Sequence, residues 1–323
     1  MRLAIIGCGL IGGKRAAAAA AHDIVVVCDS DPARAEQLAK RTGARAVADW
    51  HDAVAADVDA VIVATTHDQL AGISLGAVEA GKHVLVEKPA GRHLAEVQAI
   101  ADAAAAHSRI VKVGFNHRFH PAFLKAREIV DSGALGPLMS IRARYGHGGR
   151  PGMEKEWRCI PEISGGGELI DQGSHLIDLS RWFLGDLTVD YAAVPTLFWN
   201  MPADDNCFLA LRGGKGQIAW LHASWTEWKN IFSFEIFGRD GKLAIDGLGG
   251  SYGVERLTYY RMLPEMGPPE TTSWEYPFPD RSWDLEFNEF TDAIREGRRP
   301  CGDIADAVAN LSIVSDVYRR YRS

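Results

Sequence analysis

The chain has 323 residues, 47% of them hydrophobic and 24% charged, with a net charge of −7 and a pI near 5.9. That length exceeds one ordinary doubly wound unit and suits two domains, each able to bury a core. The acidic balance with no basic cluster argues against nucleic-acid binding, and no run of residues is apolar enough to span a bilayer.

Residues 2–6 read as a strand, 12–21 as an Ala-rich helix and 24–28 as a second strand. The apolar stretch at the N-terminus reads as a buried parallel strand, not a signal peptide. Asp31 as N-cap and Pro32 at the first helical position open a helix to about residue 41. A short strand follows at 46–47 and an apolar one at 60–64. A helix at 70–80 ends at Gly81, and strands at 83–86 and 110–114 flank a helix at 94–106. Alternation of helices with fully apolar strands predicts an α/β, parallel-sheet Rossmann domain over residues 1–119.

From residue 120 to 323 the pattern changes. A helix at 121–131 precedes strand patterns at 139–145, 189–198, 207–211, 217–226, 231–237 and 242–245. Gly213-Gly214 and Asp240-Gly241 are hairpin signals. A helix is expected at 168–184 and two more at 283–296 and 304–321, so the second domain is α+β with a mostly antiparallel sheet. The five cysteines form no C-x-x-C pair, which suits free thiols in a cytoplasmic protein. The histidines are scattered, so no metal is expected; His117 and His120 are close in sequence but lack a third ligand.

Gly7-Cys8-Gly9-Leu10-Ile11-Gly12 matches G-x-G-x-x-G between a strand and a helix, the context that makes it a dinucleotide turn. Gly7 allows the turn, Gly9 lets backbone approach a pyrophosphate, and Gly12 lets helix and sheet pack closely. Asp29 ends the second strand, 22 residues after Gly7. Its carboxylate can accept both ribose hydroxyls of NAD and would repel the extra phosphate of NADP. NAD is therefore the expected cofactor.

With this turn and Asp29, the segment Ala80-Gly81-Lys82-His83-Val84-Leu85-Val86-Glu87-Lys88-Pro89 resembles the glucose-fructose oxidoreductase/inositol dehydrogenase family. The resemblance continues through Gly165-Gly166-Gly167-Glu168-Leu169-Ile170-Asp171-Gln172-Gly173-Ser174-His175, through Phe237-Gly238-Arg239-Asp240-Gly241, and through Glu289-Phe290-Thr291-Asp292-Ala293-Ile294. It implies that the second-domain sheet is open-faced, and it implies hydride transfer between a nicotinamide cofactor and a hydroxyl carbon of a sugar, polyol or sugar derivative. It also implies a homodimer or homotetramer built on that sheet. Thr66-His67 stands where the family often has Pro-Asn, and Leu70 where a histidine often follows. Thr65, Thr66, His67, Glu87 and Lys88 join Gly7, Gly9, Leu10, Ile11, Gly12 and Asp29 as the expected cofactor-side residues.

Oxidising an alcohol requires a base for the O–H proton and a group that steadies the growing alkoxide. Asp171 and His175, four apart, would share a helix face, and a carboxylate one turn from an imidazole can hold its tautomer. His175 is read as the base with Asp171 as its partner or as a substrate acceptor, and Lys88 as a donor to the substrate oxygen. Lys88 as the base is the alternative. Asn116, His117, Arg118, Tyr145, Trp157 and Arg158 join Lys88, Asp171 and His175 as substrate-side candidates, since aromatics stack on sugar faces and arginines clamp anions. Two other functions are alternatives: an NAD-dependent glycosidase with transient oxidation, and a non-catalytic NAD(H) sensor, which need keep none of Lys88, Asp171 and His175. Phe198, Trp220, Trp225, Phe232 and Phe234 are expected to leave apolar sheet surface for the subunit interface.

Overall fold

A computed structural model describes residues 1–321. They form two compact units. One comprises Met1–Phe115, Glu162–Gly165 and Trp283–Val308; the other comprises Asn116–Pro161, Gly166–Ser282 and residues from 309 onward. This differs from a single cut between residues 119 and 120, because the chain returns to the first unit twice. The second return has a plain cause: Phe287 and Phe290 are fully buried in one hydrophobic cluster with Leu3, Ile5, Val27, Ile62 and Leu85.

The first unit runs β1 (Arg2–Ile6), α1 (Leu10–Ala18), β2 (Asp23–Cys28), α2 (Pro32–Thr42), β3 (Arg45–Val47), α3 (Trp50–Val54), β4 (Ala60–Val63), α4 (His67–Glu79), β5 (His83–Val86), α5 (Leu94–Ala106) and β6 (Val111–Val113). Its six strands are parallel, in the order β3-β2-β1-β4-β5-β6. Strand order reverses between β1 and β4, and ligands of such sheets bind outside the carboxyl ends of the strands at that switch. Asp31 caps α2 by accepting from Ala33 N, and Gly43 ends it in the left-handed region at φ 76°. Helix α3 was not expected. It is five residues long, too short for a periodic signal, and is started by Asp49 accepting from His51 N.

The second unit contains α6 (Pro121–Asp131), β7 (Leu138–Gly146), α8 (Ser174–Leu184), β8 (Leu187–Ala193), β9 (Asn206–Gly213), β10 (Ile218–Ser224), β11 (Ile231–Gly238), β12 (Gly241–Asp246), β13 (Glu255–Arg261) and β14 (Glu270–Tyr276); α7 (Pro161–Ser164) straddles the boundary between the units. Helices α9 (Ser282–Glu296) and α10 (Ile304–Tyr321) end the chain. The eight-stranded sheet has the order β14-β13-β12-β11-β7-β10-β9-β8. Its pairings are antiparallel except β7 with β10. Strands β13 and β14 were not expected; β14 is an edge strand of mostly exposed polar residues and shows no alternation. The strand expected to reach residue 198 stops at Ala193, two residues before Pro195, whose ring removes a ladder donor.

One face of this sheet is covered by α6 and α8. Phe123 meets Phe232 and Phe234 at ring distances of 5.8 and 5.3 Å, and Phe183 meets Phe234 at 6.1 Å. Phe232 and Phe234 are therefore core residues, and Trp225 is buried with Met153 and Cys159; all three are at most 2% exposed and not the interface surface expected of them. Trp220 and Phe198 do stay exposed, at 50% and 59%. Among the described residues no helix is long and apolar enough to cross a membrane.

Candidate functional site

Gly7 follows β1 at φ 94°, where an added Cβ would lie 2.4 Å from the Ala64 carbonyl oxygen. At Gly12 a Cβ would lie 1.8 Å from the Gly7 carbonyl oxygen, so helix α1 sits against the turn as only glycine permits. At Gly9 a Cβ would meet nothing within 4 Å. The turn is thus closed toward the protein at Gly7 and Gly12 and open at Gly9, where Leu10 and Ile11 start α1 and Gly9 gives it no side-chain cap. This cradle fits a pyrophosphate at a helix N-terminus. Asp29, just past β2, accepts Cys8 N–H on Oδ2 at 2.7 Å and Asp31 N–H on Oδ1 at 2.9 Å. Its carboxylate braces the glycine turn itself. The five cysteines are free, and burial pushes the Cys8 thiol up to about 12.

The other cofactor-side candidates of the first unit lie at the same edge of its sheet. Thr65 and Thr66 follow β4; Thr66 begins α4 and donates from Oγ1 to Asp68 Oδ1 at 2.6 Å. His67 is 4% exposed and its Nδ1 hydrogen-bonds the Ser164 carbonyl at 2.8 Å, so the ring anchors the 162–165 segment. Glu87 and Lys88 follow β5 in a turn closed by Ala90 N–H donating to the Glu87 carbonyl at 2.9 Å. Lys88 is half-buried. The Glu87 carboxylate takes the Arg15 guanidinium at 2.6 Å, so it holds the protein together at this edge.

In the second unit the expected 168–184 helix begins with a widened π turn, Leu169–Gly173, and becomes α-helical at Ser174. Such turns occur often at functional sites. Asp171 lies in the π turn and His175 at the start of α8, so their spacing spans a change of helical pitch and not one uniform face. The preceding glycines are required by close packing. A Cβ at Gly166 would lie 2.1 Å from the Tyr318 hydroxyl, and one at Gly167 2.0 Å from the Asp204 carbonyl. Asp204 also accepts from the amides of Gly167 and Leu169 at 3.0 and 2.8 Å.

Asp171 is 3.6 Å from Arg158 Nε, and the Arg158 guanidinium lies 4.5 Å from the Trp157 ring. Three substrate-side candidates are thereby brought together. Arg118 is committed differently: it makes a buried two-pronged pair with Asp178 at 2.9 and 2.6 Å. Asn116 donates from Nδ2 to Ser282 Oγ at 3.0 Å. Tyr145 is buried; its hydroxyl is 3.2 Å from His117 Nε2, and its ring is 6.2 Å from that of His175. Burial, with Tyr252 and Asp171 nearby, holds the Tyr145 phenol well above its usual range, so it stays protonated. Tyr252, which sequence reasoning passed over, packs its ring edge-on against that of Tyr145, with centroids 5.1 Å apart. Its only sequence signal is an aromatic in a glycine-rich loop. Arg15 was passed over as well, since nothing in an Ala-rich helix marks a buried arginine.

Residues 1–115 match an oxidoreductase family with an NAD-binding Rossmann fold, and residues 123–244 match the C-terminal domain of that same GFO/IDH/MocA family. Levoglucosan dehydrogenase of Pseudarthrobacter phenanthrenivorans is 30% identical over 286 residues, covering 76% of this chain and 73% of that protein. The scyllo-inositol 2-dehydrogenase (NAD(+)) of Bacillus subtilis is 26% identical, covering 97% of this chain and 92% of its own. A solved levoglucosan dehydrogenase in complex with NADH and levoglucosan has a TM-score of 0.89 at 24% identity, covering 99% of this chain and 96% of that one.

Proposed function

Because this chain belongs to the GFO/IDH/MocA oxidoreductase family, we propose that it is an NAD-dependent dehydrogenase acting on a CH–OH group of a sugar or polyol. The carrying observation is the glycine turn at the sheet's switch point, open only at Gly9 and braced by Asp29. The named activities of the relatives, on levoglucosan and on inositols, supply the substrate class. NAD held at that turn would supply the hydride acceptor or donor. Gly7, Gly9 and Gly12 seat the dinucleotide, and Asp29 selects NAD over NADP.

In this reading His175 takes the hydroxyl proton, Asp171 orients the base or the substrate, and the Lys88 ammonium donates to the substrate oxygen. The pairing of Asp171 with Arg158 and Trp157 supports a polar, aromatic-rimmed subsite for a sugar ring. The uncovered sheet face, with Tyr191 and Trp220 half-exposed, supports a homodimer or homotetramer, in a cytoplasmic protein. A screen of anhydrosugars, inositols, free sugars and nucleotide-sugars for NADH formation tests the proposal. Stoichiometric NADH marks a dehydrogenase. Glycoside cleavage without net NADH would overturn it in favour of transient oxidation.

A further inference from the structure

The rings of His117 and His175 lie face to face, with centroids 3.7 Å apart and planes 13° apart. Each residue is 6% exposed. Asn116 donates from Nδ2 to Ser282, so its Oδ1, 3.1 Å from His117 Nδ1, accepts. His117 therefore carries a proton on Nδ1 in either charge state, and its charge is decided at Nε2. Nε2 faces the Tyr145 hydroxyl at 3.2 Å, and the Tyr145 ring packs edge-on at 5.1 Å against that of Tyr252, half-buried between exposed Ser251 and Gly253.

We propose that His117 and His175 form one titrating unit that holds a single proton, and that the Tyr145 hydroxyl carries protons to and from His117. The inference rests on the reading of His175 as the base. A proton arriving at the Tyr145 oxygen releases the one that oxygen holds to His117 Nε2, so one proton enters, one N–H bond forms and the hydroxyl ends reversed. A charged His117 keeps the stacked His175 neutral, because two imidazolium rings at this spacing repel. When His175 accepts the substrate proton, the same repulsion drives the His117 proton back through the Tyr145 hydroxyl. Stacked rings cannot pass a proton face to face, so this route requires no transfer between them.

The surrounding groups allow it. His120 approaches the His117 ring edge at 5.7 Å but is paired with Glu255 at 2.9 Å and lies 4.0 Å from Asp280. Arg118 is paired with Asp178. Phe232, on β11, presents an apolar ring at 6.1 Å. Asp171 and Glu168 act on both tyrosines, and Arg158 faces Asp171.

The test is imidazole NMR titration of the full-length protein, together with the pH profile of kcat/KM for oxidation. His117→Gln keeps a hydrogen-bonding side chain that cannot take a proton. The wild type should titrate in two steps shared by both rings, and His175 in the variant in one step. The acid limb of kcat/KM should move up by about one pH unit in His117→Gln, and by less in Tyr145→Phe, with NADH affinity within about twofold. Independent titration of the two rings, or a lowered kcat with an unmoved acid limb, overturns the proposal. Should His175→Asn retain turnover, the base assignment fails, while the NMR titration still decides whether the rings are coupled.

Discussion

Arg15, wholly buried in α1, donates from Nε to Glu87 at 2.6 Å and from Nη1 to Glu286 at 2.6 Å. Lys112 lies 3.3 Å from the same Glu286 and donates to the Cys301 carbonyl at 2.6 Å. Two cations and two carboxylates thus tie the helix that leaves the glycine turn to the residue preceding Lys88, and both to α9. Removing one partner of such a group strands a buried charge. Arg15→Met should cost about 3–5 kcal/mol of unfolding free energy, measured by urea denaturation. A loss under about 1 kcal/mol would show the network to be dispensable.

The glycine turn separates folding from binding at two positions. Gly12→Ala places a methyl 1.8 Å from the Gly7 carbonyl, so both stability and NADH binding should fail. Gly9→Ala meets no atom within 4 Å. Its stability should stay within about 0.5 kcal/mol of the parent, the range of a neutral surface change. Its NADH affinity should still fall, because the methyl occupies the line along which backbone approaches the pyrophosphate. Thermal melts with and without NADH read both effects; undiminished NADH binding by Gly9→Ala would remove the pyrophosphate from that position.

Asp29 has two tasks, and a substitution separates them. Its charge opposes a 2′-phosphate, while its oxygens hold the amides of Cys8 and Asp31. Asp29→Asn keeps one acceptor oxygen and removes the charge. The ratio of kcat/KM for NAD over NADP should fall at least about tenfold, the effect of about 1.4 kcal/mol. Asp29→Ala should narrow the ratio too, and should also weaken NAD by loosening the turn. A parent enzyme that prefers NADP would contradict this role for Asp29.

Acid should destabilise the protein through histidines that burial holds neutral. Burial lowers His83, His147 and His222 below the ordinary value of 6.5; Arg109 lowers His83 further, while Asp171 and Glu227 partly offset the shift at His147 and His222. A histidine whose folded value is depressed binds more protons when unfolded. Its contribution to stability is present above about 6.5 and is lost as pH falls through the interval down to the folded value. Melting temperature should therefore drop from pH 7.5 to pH 5, and the drop should lessen in His83→Gln. Equal melting temperatures at both pH values would remove these histidines as the cause.

Much of this architecture was legible because its signals are local. The apolar runs of β1, β2, β4 and β5 announce a parallel sheet, and the Gly213-Gly214 and Asp240-Gly241 turns do join the antiparallel pairs β9–β10 and β11–β12. Strands β13 and β14 escaped because polar edge positions carry no period. Phe232 and Phe234 were misjudged because alternation tells which side chains share a face, not whether helices cover that face. The Arg15–Glu87 pair and the His117–His175 stack join residues far apart in the chain, and only the fold brings them together. His67 is placed on the cofactor side by the resemblance, and only the fold shows that its Nδ1 is bonded to the Ser164 carbonyl.

Lys88 tests the chemistry most directly. It stands two residues past β5, at the edge where the glycine turn and Asp29 also lie, and it is half-buried. If its ammonium steadies the alkoxide, it acts mainly in the transition state, and such interactions change kcat more than binding. Lys88→Met keeps the length and removes the charge. Its kcat should fall roughly 10²–10³-fold, the cost of one preorganised donor. NADH affinity should move little, because the dinucleotide is seated by Gly7, Gly9 and Gly12. His175→Asn should lower kcat by about 10²–10⁴-fold, the range for a positioned base, and should abolish the acid limb of the pH profile. If Lys88 is the base instead, that limb vanishes in Lys88→Met and persists in His175→Asn. Steady-state kinetics across pH with fluorescence titration of NADH distinguish these outcomes, and unchanged kcat in Lys88→Met with intact NADH binding would take Lys88 out of the reaction.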